Sequence, residues 1–135
     1  MDQTFSKFQP IALSLFRFIT GLLLFQYGIA KIFKFPVLPY FANLPPLITA
    51  AGTIELVLGA LLMIGLWSRI VAFILSGEMA CAYFLGHMFK NPAEPVWLPL
   101  NNGGTAAILF CFACLYLSTV GGGPYSVDAP MGKKS

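Results

Sequence analysis

The chain has 135 residues, of which 58% are hydrophobic and only 10% are charged, and its formal net charge is +3 at pH 7. Soluble domains carry about a quarter charged residues, so this composition excludes an ordinary soluble domain. The few basic residues are scattered along the chain, which excludes the clustered basic surface that binds nucleic acid. The composition therefore indicates an integral membrane protein whose main partner is the lipid bilayer.

Four apolar stretches come close to the roughly 20 residues that a membrane-spanning helix needs. They predict helices over about residues 11–33, 47–67, 69–89 and 103–120. The second and third stretches form one run, and we divide it at Trp67, Ser68 and Arg69 because these residue types suit the lipid–water interface. The expected fold is an all-α, four-transmembrane-helix bundle.

The four spans predict one transmembrane domain over residues 11–120, between an N-terminal segment (1–10) and a C-terminal tail (121–135). The apolar run after the N-terminal segment is too long for the core of a signal peptide, so we expect it to be retained. The connections at 34–46 and 90–102 are rich in proline and are expected to lie along the membrane surface. An even number of spans and a slight excess of basic residues favour both termini on the cytoplasmic side of a bacterial-type inner or plasma membrane.

Three predicted spans each carry an ionisable residue near mid-depth, namely Arg17, Glu55 and Glu78. Such a residue is costly in lipid unless it is paired or hydrated, so each is a candidate functional residue. Gly52 and Gly59 lie on the same helical stripe as Glu55 and indicate that it faces a packed interior. We expect Arg17 to neutralise one glutamate and to leave the other partly protonated, which makes the three residues candidate catalytic groups for proton transfer. Alternatively, the cluster only locks the bundle, as buried ion pairs can.

The remaining candidates for chemistry are one histidine and three cysteines. His87 is the only histidine, and it is expected either to line the mouth of the bundle or to form a polar cap at the interface. Cys81, Cys111 and Cys114 lie in apolar runs with nothing nearby to activate a thiol, which favours a packing role over a redox role. The sequence has no metal, haem or flavin motif.

Several blocks of the sequence resemble the DoxX family. They are "GLLLFQYGIAKIF", "IELVLGALLMIGLWSRIVA" with His87 further on, "NNGGTAAILF" and "GGGPYSVD", and together they extend the resemblance from Arg17 to Asp128. The family consists of small four-helix membrane proteins, and its name comes from a subunit of a thiosulfate:quinone oxidoreductase. The resemblance therefore implies a membrane protein linked to redox processes, with a quinone as the expected cofactor.

The resemblance also marks individual positions of this chain. They are Arg17, Gly28, Lys31, Glu55, Gly59, Gly65, Arg69, His87, Asn102, Gly103, Gly104, Gly123, Pro124 and Asp128. Among them, the residues expected to bind substrate are Arg17, Lys31, Glu55, His87 and Asn102. This chain has Thr105 where many members of the family have a glutamate, so a role that needs that carboxylate is not expected here.

Three functions are compatible with these features. The first is a quinone-linked membrane redox subunit, in which Glu55 passes a proton and Arg17 tunes its acidity. If the protein is an enzyme, it is then a subunit of a membrane oxidoreductase. The second is a non-catalytic accessory or assembly subunit of a larger membrane complex. The expected protein partners are thus subunits of a membrane complex or further copies of this chain. The third is a small carrier, which four short helices can support only in an oligomer.

Overall fold

The computed structural model describes residues 2–33, 46–88, 98 and 104–129, except for the side chains of residues 2, 47, 48 and 86–88. All regular secondary structure within these ranges is helical. The helices are α1 (Asp2–Ser6), α2 (Gln9–Ile32), α3 (Pro46–Ile64), α4 (Ser68–Ala82) with a π-helical continuation over Tyr83–Met88, and α5 (Thr105–Val120). The all-α expectation is confirmed for the described part of the chain.

Two helical stretches of the described residues are long and apolar enough to cross a membrane. They are Gln9–Ile32, with 24 residues, and Ser68–Leu85, with 18 residues. Two further apolar stretches, Thr49–Ile64 and Thr105–Val120, are shorter. A helix of 16 residues is about 24 Å long at 1.5 Å per residue, less than the roughly 30 Å of a bilayer core. The count of four spans remains a prediction.

Helices α2 and α3 pack with their backbones almost in contact, because glycines lie between them. A Cβ atom added to Gly28 would lie 2.5 Å from the backbone nitrogen of Leu56, and one added to Gly21 would lie 2.5 Å from that of Met63. Earlier positions of α2 thus face later positions of α3, so the two helices run antiparallel. This small-residue packing is typical of helices that associate in membranes.

Helix α4 packs mainly on α5, and the apolar core lies between the helices. Ser76 Oγ donates a hydrogen bond of 2.8 Å to the backbone carbonyl oxygen of Cys111, which joins α4 to α5. The fully buried core residues are Leu24, Leu62, Ala72, Leu75, Cys114 and Leu117. Gly77, next to Glu78 on α4, is exposed, and no described atom lies within 4 Å of an added Cβ.

A tight turn joins α3 to α4 at the position where the sequence predicted the break. Gly65 (φ 78°) and Trp67 (φ 54°) adopt left-handed backbone conformations there. The C-terminal segment (residues 121–129) folds back onto this turn. Backbone N–H groups of Val127 and Asp128 donate to the carbonyl oxygens of Ile64 and Gly65, both at 3.0 Å. This part of the expected C-terminal tail is thus packed against the helices.

Candidate functional site

Lys31 and Glu55 form a buried ion pair between α2 and α3. Lys31 Nζ donates to Glu55 Oε1 at 2.9 Å and to Oε2 at 3.0 Å. The Glu55 side chain is 1% exposed and that of Lys31 is 14% exposed. Both carboxylate oxygens therefore have the same ammonium group as their partner, in surroundings that water scarcely reaches.

The antiparallel packing of α2 and α3 creates this pair. Lys31 lies in the last turn of α2, and Glu55 lies in the third turn of α3. Gly52, one turn before Glu55, makes room for the lysine stem, since an added Cβ would lie 2.7 Å from Lys31 Cβ. The ammonium group also lies 5.9 Å from the centre of the Tyr27 ring, within the range of a cation–π interaction.

Glu78 brings a second carboxyl group to this pair from α4. Both of its carboxyl oxygens are buried, and neither has a hydrogen-bond partner among the described residues. The group is close enough to Glu55 and Lys31 to interact with them electrostatically, and it also interacts with the thiol of Cys114 on α5. We call Lys31, Glu55 and Glu78 the carboxyl cluster.

The charges of the carboxyl cluster do not balance when all three groups are ionised. One ammonium group faces two carboxylates, so the cluster is neutral only when one carboxyl group carries a proton. Glu55 is already paired in a two-pronged contact with Lys31, whereas the oxygens of Glu78 have no hydrogen-bond partner in the described part of the chain. An arrangement of this kind can hold and release one proton.

The expectation that Arg17 neutralises a glutamate of this cluster is wrong. Arg17 Nη2 donates instead to the backbone carbonyl oxygens of Tyr125 at 2.9 Å and Ser14 at 3.4 Å. Arg17 precedes Lys31 by fourteen residues on the same helix, which corresponds to about 21 Å. The two basic residues share one stripe of α2, but only Lys31 is level with Glu55. Span lengths estimated from sequence were too coarse to choose between them.

Asp128 performs a structural task that sequence patterns alone did not reveal. Its side chain is buried and accepts hydrogen bonds of 2.8 Å from the backbone N–H groups of Trp67 and Ser68. The first N–H groups of a helix have no partner within the helix, so Asp128 acts as the N-cap of α4 from a distant part of the chain. It also places a negative charge at the positive end of the helix dipole. Only the family resemblance had marked this position.

The remaining candidate residues from the sequence are His87, Asn102, Arg69 and the three cysteines. The side chain of His87 and the whole of Asn102 lie outside the described residues. Arg69 donates to the backbone carbonyl oxygen of Thr119 and so binds the C-terminal end of α5. All three cysteines are free thiols, with Cys114 fully buried. The described residues contain no group of three or more potential metal ligands.

These features define a class: a small helical membrane protein with an ionisable cluster between closely packed apolar helices. The chain belongs to the DoxX family, whose model matches residues 12–88. It is also similar to a protein of Haemophilus influenzae that is described as an uncharacterized protein, with 35% identity over 131 residues that cover 95% of this chain and 96% of the relative. No solved structure matches the chain. As a member of this membrane-associated family, the protein sits in the lipid bilayer.

Proposed function

We propose that α2, α3, α4 and α5 each cross the membrane, with both termini on the cytoplasmic side. Two of these helices contain stretches that meet the length for a span, and the other two are apolar throughout much of their length. The α3–α4 turn, with Trp67 half exposed and Arg69 beside it, has residues suited to the interface. In this arrangement the carboxyl cluster lies within the bilayer, near the side opposite the termini.

We further propose that the protein is a membrane redox subunit that exchanges a proton with a quinone-type substrate at the carboxyl cluster. The observation that carries this proposal is the buried Glu78 carboxyl group, which has no hydrogen-bond partner among the described residues and lies beside an already paired Glu55. A quinone that gains two electrons must also take up two protons, and inside a membrane these must come from a protein group or from water. A buried carboxylic acid is one of the side chains that can supply them.

The residues of the carboxyl cluster have separate roles in this proposal. Lys31 fixes the orientation of Glu55, because both carboxylate oxygens accept from the ammonium group. Glu78 donates one of the two protons to a quinone carbonyl oxygen and is reprotonated from the aqueous side, and water supplies the other proton. The electrons come from a partner protein or a thiol substrate. Arg17 lies too far away to take part.

The proposal is tested by measuring quinone reduction in membrane vesicles that contain equal amounts of the protein or its variants. A dithiol serves as electron donor, decylubiquinone serves as acceptor, and the rate in vesicles that lack the protein is subtracted. Glu78→Gln is expected to lower the remaining rate by about 100-fold or more, since it removes the acid and keeps the shape. Glu78→Asp is the matched control and should keep a measurable rate. An unchanged rate in Glu78→Gln contradicts the proton-transfer role.

An accessory or assembly subunit is the second candidate. The observation that favours it is that three buried charges have structural partners: Glu55 contacts Lys31, Arg17 binds the C-terminal segment, and Asp128 caps α4. Purification in a mild detergent distinguishes the two functions. A stoichiometric larger partner favours the accessory function, whereas a monomer or homo-oligomer that retains a quinone favours the redox function.

A further inference from the structure

A cavity of about 260 Å³ lies between the first turns of α2 and the C-terminal segment, well away from the carboxyl cluster. It is open to the outer surface of the protein. Its lining consists of Ile11, Ser14, Leu15, Arg17, Phe18 and Tyr125. Four of these six side chains are large and apolar or aromatic, and each of the four is exposed on the surface. In a membrane they face lipid.

Arg17 contributes a buried cation to the wall of this cavity. The residue is only 3% exposed, and its Nε and Nη1 atoms are buried without a hydrogen-bond partner among the described residues. Its hydrogen bonds within the described residues, through Nη2, are with two backbone carbonyl oxygens, which carry no full negative charge. A buried charge without a counter-ion is costly, so an anion that enters the cavity gains the attraction of a guanidinium that forms no ion pair among the described residues.

The nearest carboxylate does not fill this need. Asp128 interacts electrostatically with Arg17, but its two oxygens accept from the N–H groups of Trp67 and Ser68. The described residues include no ion pair between Arg17 and a carboxylate. Asp128 thus moderates the charge of Arg17 without using its free donors.

Ser14 adds a second polar group to the same wall. Its Oγ accepts a hydrogen bond of 3.1 Å from the backbone N–H of Tyr125, which leaves the hydroxyl hydrogen available as a donor. Arg17 and Ser14 are therefore the two polar members of a lining that is otherwise apolar or aromatic. A planar guanidinium fits the oxygens of a carboxylate or a phosphate.

We propose that this cavity binds the oxyanion head of an amphiphile, a carboxylate or a phosphate, with the attached acyl chain lying along Ile11, Leu15 and Phe18. The charge complementarity with Arg17 selects the head, and the lipid-facing apolar walls accept the chain. The site is about 21 Å along α2 from Lys31 and is independent of the proposed redox function. Because Tyr125 belongs both to the cavity lining and to the C-terminal segment, a bound amphiphile would contact that segment.

Native mass spectrometry of delipidated protein in neutral detergent tests this proposal. The probes are dioleoylphosphatidylglycerol, oleate, dioleoylphosphatidylcholine and inorganic phosphate, added separately. The wild type is expected to retain one anionic amphiphile per chain with at least about tenfold preference over the phosphatidylcholine, the weight of one hydrogen bond to a charged group. Retention of both phosphatidylglycerol and oleate identifies the shared oxyanion as the recognised group, and retention of one alone identifies its source.

Two variants locate the binding in the cavity. Leu15→Trp fills the cavity without removing a hydrogen bond and is expected to abolish the preference, as is Arg17→Gln. Lys7→Gln removes an exposed cation near the same end of α2 and is the control that should keep it. If Arg17→Gln does not fold, Leu15→Trp still decides. Equal retention of the anionic and zwitterionic lipids by the wild type, an undiminished preference in Leu15→Trp, or binding of inorganic phosphate as tight as that of the amphiphiles would overturn the proposal.

Discussion

Replacement of Lys31 by methionine removes the cation that, among the described residues, contacts Glu55. The lysine ammonium donates to both carboxylate oxygens, at 2.9 Å and 3.0 Å, and the glutamate side chain is 1% exposed. Methionine has a similar length and fits beside Gly52, so the variant isolates the charge from the packing. What remains is a buried carboxylate with a second carboxyl group, that of Glu78, beside it.

The expected loss of stability follows from this geometry. Removal of one partner of a buried ion pair costs about 3–5 kcal/mol, because the remaining charge stays buried without compensation. Uptake of a proton by the abandoned carboxyl group limits the cost, so we expect about 3 kcal/mol for Lys31→Met. The double variant Lys31→Met/Glu55→Gln leaves no unpaired carboxylate at this position. Its free energy of unfolding is expected to be at least about 1 kcal/mol higher than that of Lys31→Met.

Unfolding by sodium dodecyl sulfate in mixed micelles, followed by circular dichroism, measures these differences. Lys7→Met is the matched control, since Lys7 is exposed and its replacement should change the free energy of unfolding by less than about 0.5 kcal/mol. If Lys31→Met is as mild as the control, or if the double variant is no more stable than the sum of the two single changes predicts, then the ion pair does not hold α2 to α3 as described.

Three further predictions concern other parts of the structure. Gly28→Ala places a Cβ 2.5 Å from the backbone of Leu56 and should lower the free energy of unfolding by about 2 kcal/mol or more, whereas Gly77→Ala, with no described atom within 4 Å, should raise it by about 0.5–1 kcal/mol. Equal effects would refute the close packing of α2 on α3. Asp128→Ala removes the N-cap of α4 and should cost about 2 kcal/mol and expose the C-terminal segment to protease; unaltered digestion would contradict the capping role. Leu15→Trp should fill the cavity beside Arg17 without lowering the free energy of unfolding by more than about 1 kcal/mol, because the side chain of Leu15 is mostly exposed.

The helices could be predicted from the sequence because hydrophobic runs and breaks carry that signal directly. The α3–α4 break, for example, was predicted at Trp67, Ser68 and Arg69, and the structure has its left-handed turn residues, Gly65 and Trp67, at the same place. The position of Glu55 on a packed face could also be predicted, since Gly52 and Gly59 share its stripe. These inferences depend only on the periodicity of one helix at a time.

Contacts between helices were less accessible to sequence reasoning. Whether Arg17 or Lys31 meets Glu55 depends on how far α3 is shifted along α2, and the two basic residues lie about four turns apart on that helix. The capping of α4 by Asp128 joins positions sixty residues apart, so no local pattern encodes it. The capping contact can be assigned only when the path of the C-terminal segment along the helices is known.

The central claim is that the carboxyl cluster holds one exchangeable proton within the membrane. Infrared spectroscopy of the protein in lipid bilayers tests it most directly, because a protonated carboxylic acid has a carbonyl stretching band that a carboxylate lacks. At neutral pH the wild type should show such a band, it should shift when the protein is transferred to D₂O, and it should disappear in Glu78→Gln while the fold is retained. Absence of the band from the wild type, or its persistence in Glu78→Gln, would contradict the claim.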